Sequence, residues 1–332
     1  MKSIVFFNNK GGVGKTTLAC NLAAYLVLQK NKKVLIIDAD PQCNSTTYIL
    51  ADEMINSLYE KQKRSTIQSF LVPLMRGVGY LKKRIEPLKS DRFGCDIIPG
   101  DPRLALSEDF LASDWKDATA GEARGLQTTL VFKHLVNLYP EYDYVLFDVG
   151  PSLGAINRSI LIAADYFIIP MSVDVFSLMA LENIKISLSS WKDGFNAGLD
   201  FHKKKYDEEF QINDIAANWA LQFGGYVMQQ YRAKTVGGER VPVNAYEKIA
   251  RKIPKKIKTD IGSIFPNKNV GYTELLGEIA ILNSLVPMSQ TAKSPMFKLK
   301  AKDGVVGAHF ATVARVEEVY KKISGNFLEN VG

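Results

Sequence analysis

Nine consecutive residues, Asn9-Lys10-Gly11-Gly12-Val13-Gly14-Lys15-Thr16-Thr17, carry the most specific chemistry in the sequence. They follow an apolar run, Ser3–Phe7, and open a helical pattern over Lys15–Gln29, so a strand, a glycine-rich turn and a helix are predicted in succession. Backbone binds phosphate in that setting. Glycines let the chain approach an anion and turn its N–H groups toward it, and the helix N-terminus adds the positive end of its dipole. A lysine at position 15 reaches the outer phosphates of a nucleotide, and the Thr16 hydroxyl can ligate Mg2+. The general pattern GxxxxGK[ST] would place its first glycine at position 9, where this chain has asparagine. Lys10 is thus a second lysine in a variant loop; taken alone, it reads as an exposed loop lysine.

Phosphoryl transfer also needs an acid to hold the metal and a group to orient the attacking water. Asp148 closes the apolar run YDYVLFD and leads into Val149-Gly150-Pro151-Ser152. Asp38 and Asp40 follow the run Val34–Ile37 in the cluster Asp38-Ala39-Asp40-Pro41-Gln42-Cys43-Asn44-Ser45-Thr46. One such aspartate could simply cap the helix after Pro41. Two of them, after a strand and in a chain with a phosphate loop, favour the catalytic reading.

The run KGGVGKTT resembles the deviant Walker A motif of the ParA/MinD family, and the chain as a whole is most similar to the ParA (Soj-like) partition ATPases. The resemblance implies that Lys10, Gly11, Gly12, Val13, Gly14, Lys15, Thr16 and Thr17 bind ATP. It implies that Lys10 reaches across a sandwich homodimer to the partner's phosphates. Asp148 resembles a Walker B aspartate acting on Mg2+, and the loop after it resembles switch II. The Asp38 cluster resembles the family's DxDPQGN switch I, with Cys43 at the position of its glycine. By that resemblance Asp40 orients the attacking water, alongside Lys10 and Lys15 as catalytic groups, while Asp38 lies near Thr16 and the Mg2+. Adenine recognition in relatives follows the sixth strand, which puts Gln229 or Gln230 near the base. The likeness extends through IIPGDPRLALSEDFL, through Pro151–Ile184, and through LGEIAILNSLVPMSQTAKSPMFKL with the following DGVVGAH.

The elements that must position these residues are legible as apolar runs ending at polar or glycine-rich loops. Cys95–Ile98, Tyr144–Phe147, Tyr166–Ile169 and a run within Trp219–Met228 join Ser3–Phe7 and Val34–Ile37 as strands without clean alternation. Such strands are buried on both faces. With helices between them, they predict an α/β fold: a doubly wound, mainly parallel sheet flanked by helices, the P-loop NTPase architecture. A single domain over 1–332 is expected, with elaborations at about 52–92, 192–214 and 229–271. Ala308–Ser324 has helical spacing and is expected to dock on the core rather than to bind membrane.

Composition narrows the rest. Apolar residues are 46% and charged residues 23% of 332, ordinary globular usage. Three cysteines without CxxC spacing and three scattered histidines argue against a disulfide framework, a zinc site or a cluster carrier. The N-terminal run is too short for a signal peptide and no apolar run is long enough to span a bilayer, so a cytoplasmic protein is expected.

The net charge is +7. Much of it falls in the C-terminal half, most densely in Arg251-Lys252-Ile253-Pro254-Lys255-Lys256-Ile257-Lys258. A charge run is usually a solvated face. In ParA relatives such basic residues bind DNA without sequence preference once ATP has formed the dimer, so Arg251, Lys252, Lys255, Lys256 and Lys258 are the expected DNA contacts. The resemblance therefore implies a nucleoid-associated segregation ATPase with ATP and Mg2+ as cofactors and a ParB-like or other stimulating partner. No operator-reading module is expected ahead of the loop. The alternatives are a ParA-like ATPase that positions a protein cargo and a MinD-like membrane-associated regulator. The second would end in a basic amphipathic helix, for which there is no good candidate.

Overall fold

The chain folds around one eight-stranded sheet in the order β12-β9-β6-β1-β5-β2-β4-β3. The structure, a computed structural model, describes residues 1–231, 233–236, 239–242, 248–282 and 284–332; side chains within 230–247 lie outside that description. The strands are β1 (Lys2–Phe6), β2 (Val34–Ala39), β3 (Leu88–Lys89), β4 (Asp96–Ile98), β5 (Tyr144–Val149), β6 (Tyr166–Ser172), β9 (Gln222–Tyr231) and β12 (Leu275–Ala280), with the two-stranded pairs β7 (Gln211–Ile212)–β8 (Ile215–Ala216) and β10 (Ala233–Val236)–β11 (Glu239–Pro242) outside the sheet. All pairings within the sheet are parallel except β3 with β4.

Every residue of β2 and β5 is buried, as strands with helices on both faces require. One face packs Val5, Leu35, Phe147, Phe167 and Ile169 against helices that include Val131–Asn137, Ala155–Ala163 and the long Val175–Tyr206. The other packs Ile4, Phe6, Ile36, Leu146 and Ile168 against α1 (Lys15–Lys30) and the C-terminal helix His309–Val331. That C-terminal helix runs seven residues past the predicted end at Ser324, because Phe327 and Val331 are themselves core residues. The centre of α1 is buried from Leu18 to Leu26 and apolar apart from Asn21, which hydrogen-bonds Tyr48 and the Met296 amide; this fits its place between sheet and C-terminal helix.

Strand order explains where a ligand would bind. β1 lies between β5 and β6, and the chain leaves it for β2 on one side before returning to β6 on the other. A sheet of this kind opens a crevice beyond the carboxyl ends of its strands at that reversal. The loop after β1 sits there. Register adds a second feature: Asp38 on β2 stands directly beside Asp148 on β5.

The elaborations take varied forms. Within 52–92 lie two helices, Asp52–Tyr59 and Ile67–Met75, and strand β3. The charged run near 202–209 ends the long helix Val175–Tyr206, which closes at Asp207 in the left-handed region. The segment 229–271 is described except for positions 232, 237–238 and 243–247.

Candidate nucleotide site

The loop after β1 is shaped by glycine backbone. Gly12 and Gly14 have φ of 71° and 77°, conformations that residues with a Cβ rarely adopt. Gly14 is the N-cap of α1, which has no side-chain cap and no acid in its first turn. The first amides of the helix are therefore left for a ligand. They face a cavity of about 720 Å³ lined by residues 11–17, Asp40, Gln42, Asn44, Thr47, Tyr48, Pro151, Gln290 and Lys293.

Lys15 is buried, and its Nζ donates to the backbone carbonyls of Asn8 at 3.2 Å and Lys10 at 3.4 Å. The ammonium thus lies folded over its own loop. Burial pushes its pKa below the ordinary lysine value, while Asp148 and Asp40 pull it back up. Lys10 takes a different direction. Its Nζ makes an ion pair with Asp174 and a hydrogen bond to Ser172 Oγ of 2.9 Å, within the same chain. Asp174 in turn caps the long helix by accepting from Ser177 N at 3.0 Å. Burial raises the Asp174 carboxyl, but the Lys10, Ser172 and Ser177 donors outweigh it and hold it below the usual range. Just beyond that cap Val175, Phe176 and Met179 lie exposed on the surface.

The two strand-end acids are fully buried side by side. Burial pushes both carboxyls up, Asp38 further than Asp148, with Asp148 adding to the shift on Asp38. Their surroundings differ. Asp38 Oδ2 accepts from the N–H of Thr46 at 2.8 Å and its hydroxyl at 2.6 Å, so Asp38 caps the first turn of α2 (Asn44–Ile49). Asp148 Oδ2 accepts from Ser45 Oγ at 2.6 Å, whereas its Oδ1 is buried without a hydrogen-bond partner. Thr16 lies close enough to the same carboxylate to lower it. A buried, unpaired carboxylate oxygen beside a threonine hydroxyl is a donor set that suits Mg2+. Among the described residues no group of three or more His, Cys, Asp or Glu could hold a metal, so a cation here would draw on Thr16, Asp148 and the phosphates.

Asp40 accepts from Gln42 N at 2.9 Å and lines the cavity opposite the loop. Gly150, on the loop after β5, has the Asp40 carboxylate 3.4 Å from where a Cβ would stand. Cys43, at the N-cap of α2, has φ of 55°, a conformation that glycine adopts more readily. Gln229 is buried and donates to the Gly14 carbonyl at 3.2 Å. It belongs to a second cavity of about 340 Å³ that shares Gly14 and Thr17 with the first, walled by Ile279–Leu282, Pro287, Met296 and Tyr320. The Gln230 side chain lies outside the described residues.

The phosphate-loop residues, Asp40 and Gln229 are thus brought around one crevice, while the basic run is elsewhere. It forms a short helix, Lys252–Ile257, anchored by buried Ile253 and Ile257 against the long helix. Arg251, Lys252, Lys255 and Lys258 are exposed, but Lys256 pairs with Asp260 at 3.0 Å and Glu182 at 3.9 Å. Sequence reasoning assigned no individual role to Ser45, Thr46 or Asp174, all in contact with site residues. Ser45–Asp148 and Lys10–Asp174 join elements far apart in the chain, which no motif spacing signals, whereas Thr46 lies only eight residues after Asp38 in the same cluster.

The AAA_31 family model, an AAA domain, matches residues 1–201. A virulence plasmid ParA family protein of Chlamydia psittaci, pGP5-D, is 31% identical over 189 residues, 56% of this chain and 62% of the relative. The chain belongs to the ParA-like P-loop ATPases. The match spans about three fifths of that relative's length. Among solved structures, protein DIP2308 of Corynebacterium diphtheriae superposes with a TM-score of 0.72 at 28% identity, covering 88% of this ATPase and 97% of the other chain. An ATP complex of a Cyanothece McdA variant shares the fold with a TM-score of 0.63 at 16% identity, covering 98% and 96%. The described residues of the ATPase include no helix long and apolar enough to cross a membrane.

Proposed function

We propose that this ParA-like ATPase is an ATP-driven dimerising switch that holds DNA non-specifically in its ATP state and serves the partition of plasmid or chromosomal DNA. The observation that carries the reading is the convergence of the uncapped α1 N-terminus, buried Lys15 and Asp40 on one polar cavity. Gly11–Thr17 cradle the phosphates, and the apolar second cavity beside Gln229 takes the base. Thr16 and Asp148, with Asp38 behind them, hold Mg2+, which when bound neutralises charge on the transferring phosphoryl group. Asp40 orients the attacking water at the cavity wall. Lys10 leaves Asp174 to meet the phosphates of a second copy, and exposed Val175, Phe176 and Met179 lie on the face that copy would cover. In the dimer the exposed Arg251, Lys252, Lys255 and Lys258 are duplicated, which suits a phosphate backbone. A stimulating partner protein completes the cycle by triggering hydrolysis and release.

Light scattering with ATP and with ADP tests the switch. The wild type is expected to dimerise with ATP and not with ADP. Lys15→Ala should lose productive nucleotide binding, whereas Lys10→Ala should bind nucleotide and remain monomeric. Asp40→Ala should give an ATP dimer that persists without hydrolysis. A Lys10→Ala variant that dimerises like wild type would remove the trans role of that lysine.

A further inference from the structure

The first turn of α2 grips the acids of the proposed metal site from behind. Ser45 is fully buried, and its Oγ donates to Asp148 Oδ2 at 2.6 Å. A hydroxyl has one proton to give, so Ser45 can only accept from its other neighbour. That neighbour is Cys20 on α1, whose Sγ donates to Ser45 Oγ at 3.4 Å. A donor chain of fixed direction, Cys20 to Ser45 to Asp148, therefore ends on one carboxylate oxygen. The other oxygen, Oδ1, is buried and has no hydrogen-bond partner. Both links join residues distant in sequence, and both thiol and hydroxyl are inaccessible to solvent.

We infer that Ser45 is a positioning residue for Asp148, pinning Oδ2 so that Oδ1 is the oxygen presented to a divalent cation that enters with the nucleotide. Rotation of an aspartate carboxylate about its last torsion is soft, so an unpinned Asp148 would spread over orientations. Thr46 holds neighbouring Asp38 in the same way, but with both an N–H and a hydroxyl, and Asp38 Oδ1 faces the N–H of Asp40 at 3.4 Å. The two acids are thus differently prepared: Asp38 is committed to α2, and Asp148 keeps one oxygen open. Ser45 is fully buried and does not line the cavity. Its effect passes through Asp148, as outer-shell partners of metal ligands generally act.

This inference rests on the nucleotide reading above, and the test separates the two. Binding of a fluorescent ADP analogue is measured by anisotropy in Mg2+ and in EDTA, and Mn2+ binding with ADP by electron paramagnetic resonance. The proteins are wild type, Ser45→Ala, Ser45→Cys and Lys15→Ala, each checked by its melting curve. Ser45→Ala is expected to match wild type in EDTA while losing about tenfold of the Mg2+ enhancement and of the Mn2+ affinity. Ser45→Cys, a weaker donor of similar shape, should fall between them and keeps the test open if the alanine variant does not fold. Undiminished metal enhancement in the folded Ser45 variants overturns the inference alone. A wild type that binds no nucleotide, or that Lys15→Ala equals, overturns the nucleotide reading and this inference with it.

Discussion

Gly14 joins three requirements at a single residue. It sits at φ 77°, its carbonyl takes the Gln229 amide, and a Cβ built there would run into that same amide. Gly14→Ala should therefore cost about 1–3 kcal/mol in backbone strain and displace Gln229 from between the two cavities. Urea denaturation reads the first effect, and loss of nucleotide affinity beyond that of Gly12→Ala, whose Cβ meets nothing nearby, reads the second. At this scale the sequence is explicit about residues named by motif: glycines, Lys15, Thr16 and the aspartates. It is silent on which distant side chains those residues meet. Lys10 pairs with Asp174, 164 positions away, and no local pattern announces an ion pair formed between a loop and a helix cap. Asp38 makes the helix-capping contact that the sequence offered as one of two readings, and it does so while standing beside Asp148.

At the scale of elements, the strands next to the site were legible because strands buried on both faces are written as unbroken apolar runs. β3 and β12 were not. β3 is two residues long, and β12, Leu275–Ala280, carries Gly277 and Glu278 on the edge of the sheet, where one side is less enclosed. The C-terminal elements close the second cavity, and their attachment can be measured. Phe327 is fully buried, with its ring centroid 5.3 Å from that of Tyr144. Phe327→Ala is expected to destabilise the fold by about 3–5 kcal/mol, seen as a lower urea midpoint; a cost near zero would mean the helix is not part of the core. Arg92 adds a second tie, bidentate to Asp303 at 2.8 Å and donating to the Ala292 carbonyl. Arg92 hydrogen bonds hold Asp303 down at about 2, outweighing the opposing effect of burial. A depressed carboxyl stabilises the fold fully above its unfolded value near 4 and loses that contribution as pH falls toward about 2. Between pH 5 and pH 2.5 the wild type should accordingly lose more stability than Asp303→Asn, measured by denaturant titration at each pH.

At the scale of the molecule, the sheet order brings the phosphate loop, both acid-bearing strand ends and the Lys10–Asp174 pair to one end of the fold. The loop and the acids could be expected at the carboxyl ends of the strands, where doubly wound sheets bind ligands, whereas the strand order and the Lys10–Asp174 pair could not. The basic face did not follow so directly. Its residues were legible as a charge run, but only the fold shows that Ile253 and Ile257 anchor the helix and that Lys256 is engaged by Asp260 and Glu182. Arg251, Lys252, Lys255 and Lys258 are exposed. The most direct measurement of the proposed function is binding to a random-sequence DNA duplex with ATP, with ADP and without nucleotide, across a salt series. Binding is expected only with ATP, falling steeply with salt, lost in Lys10→Ala and weakened with a shallower salt slope in Lys252→Ala/Lys255→Ala/Lys258→Ala. Equal DNA binding in all nucleotide states, or none at low salt with ATP, would contradict a switch that carries DNA in its ATP form.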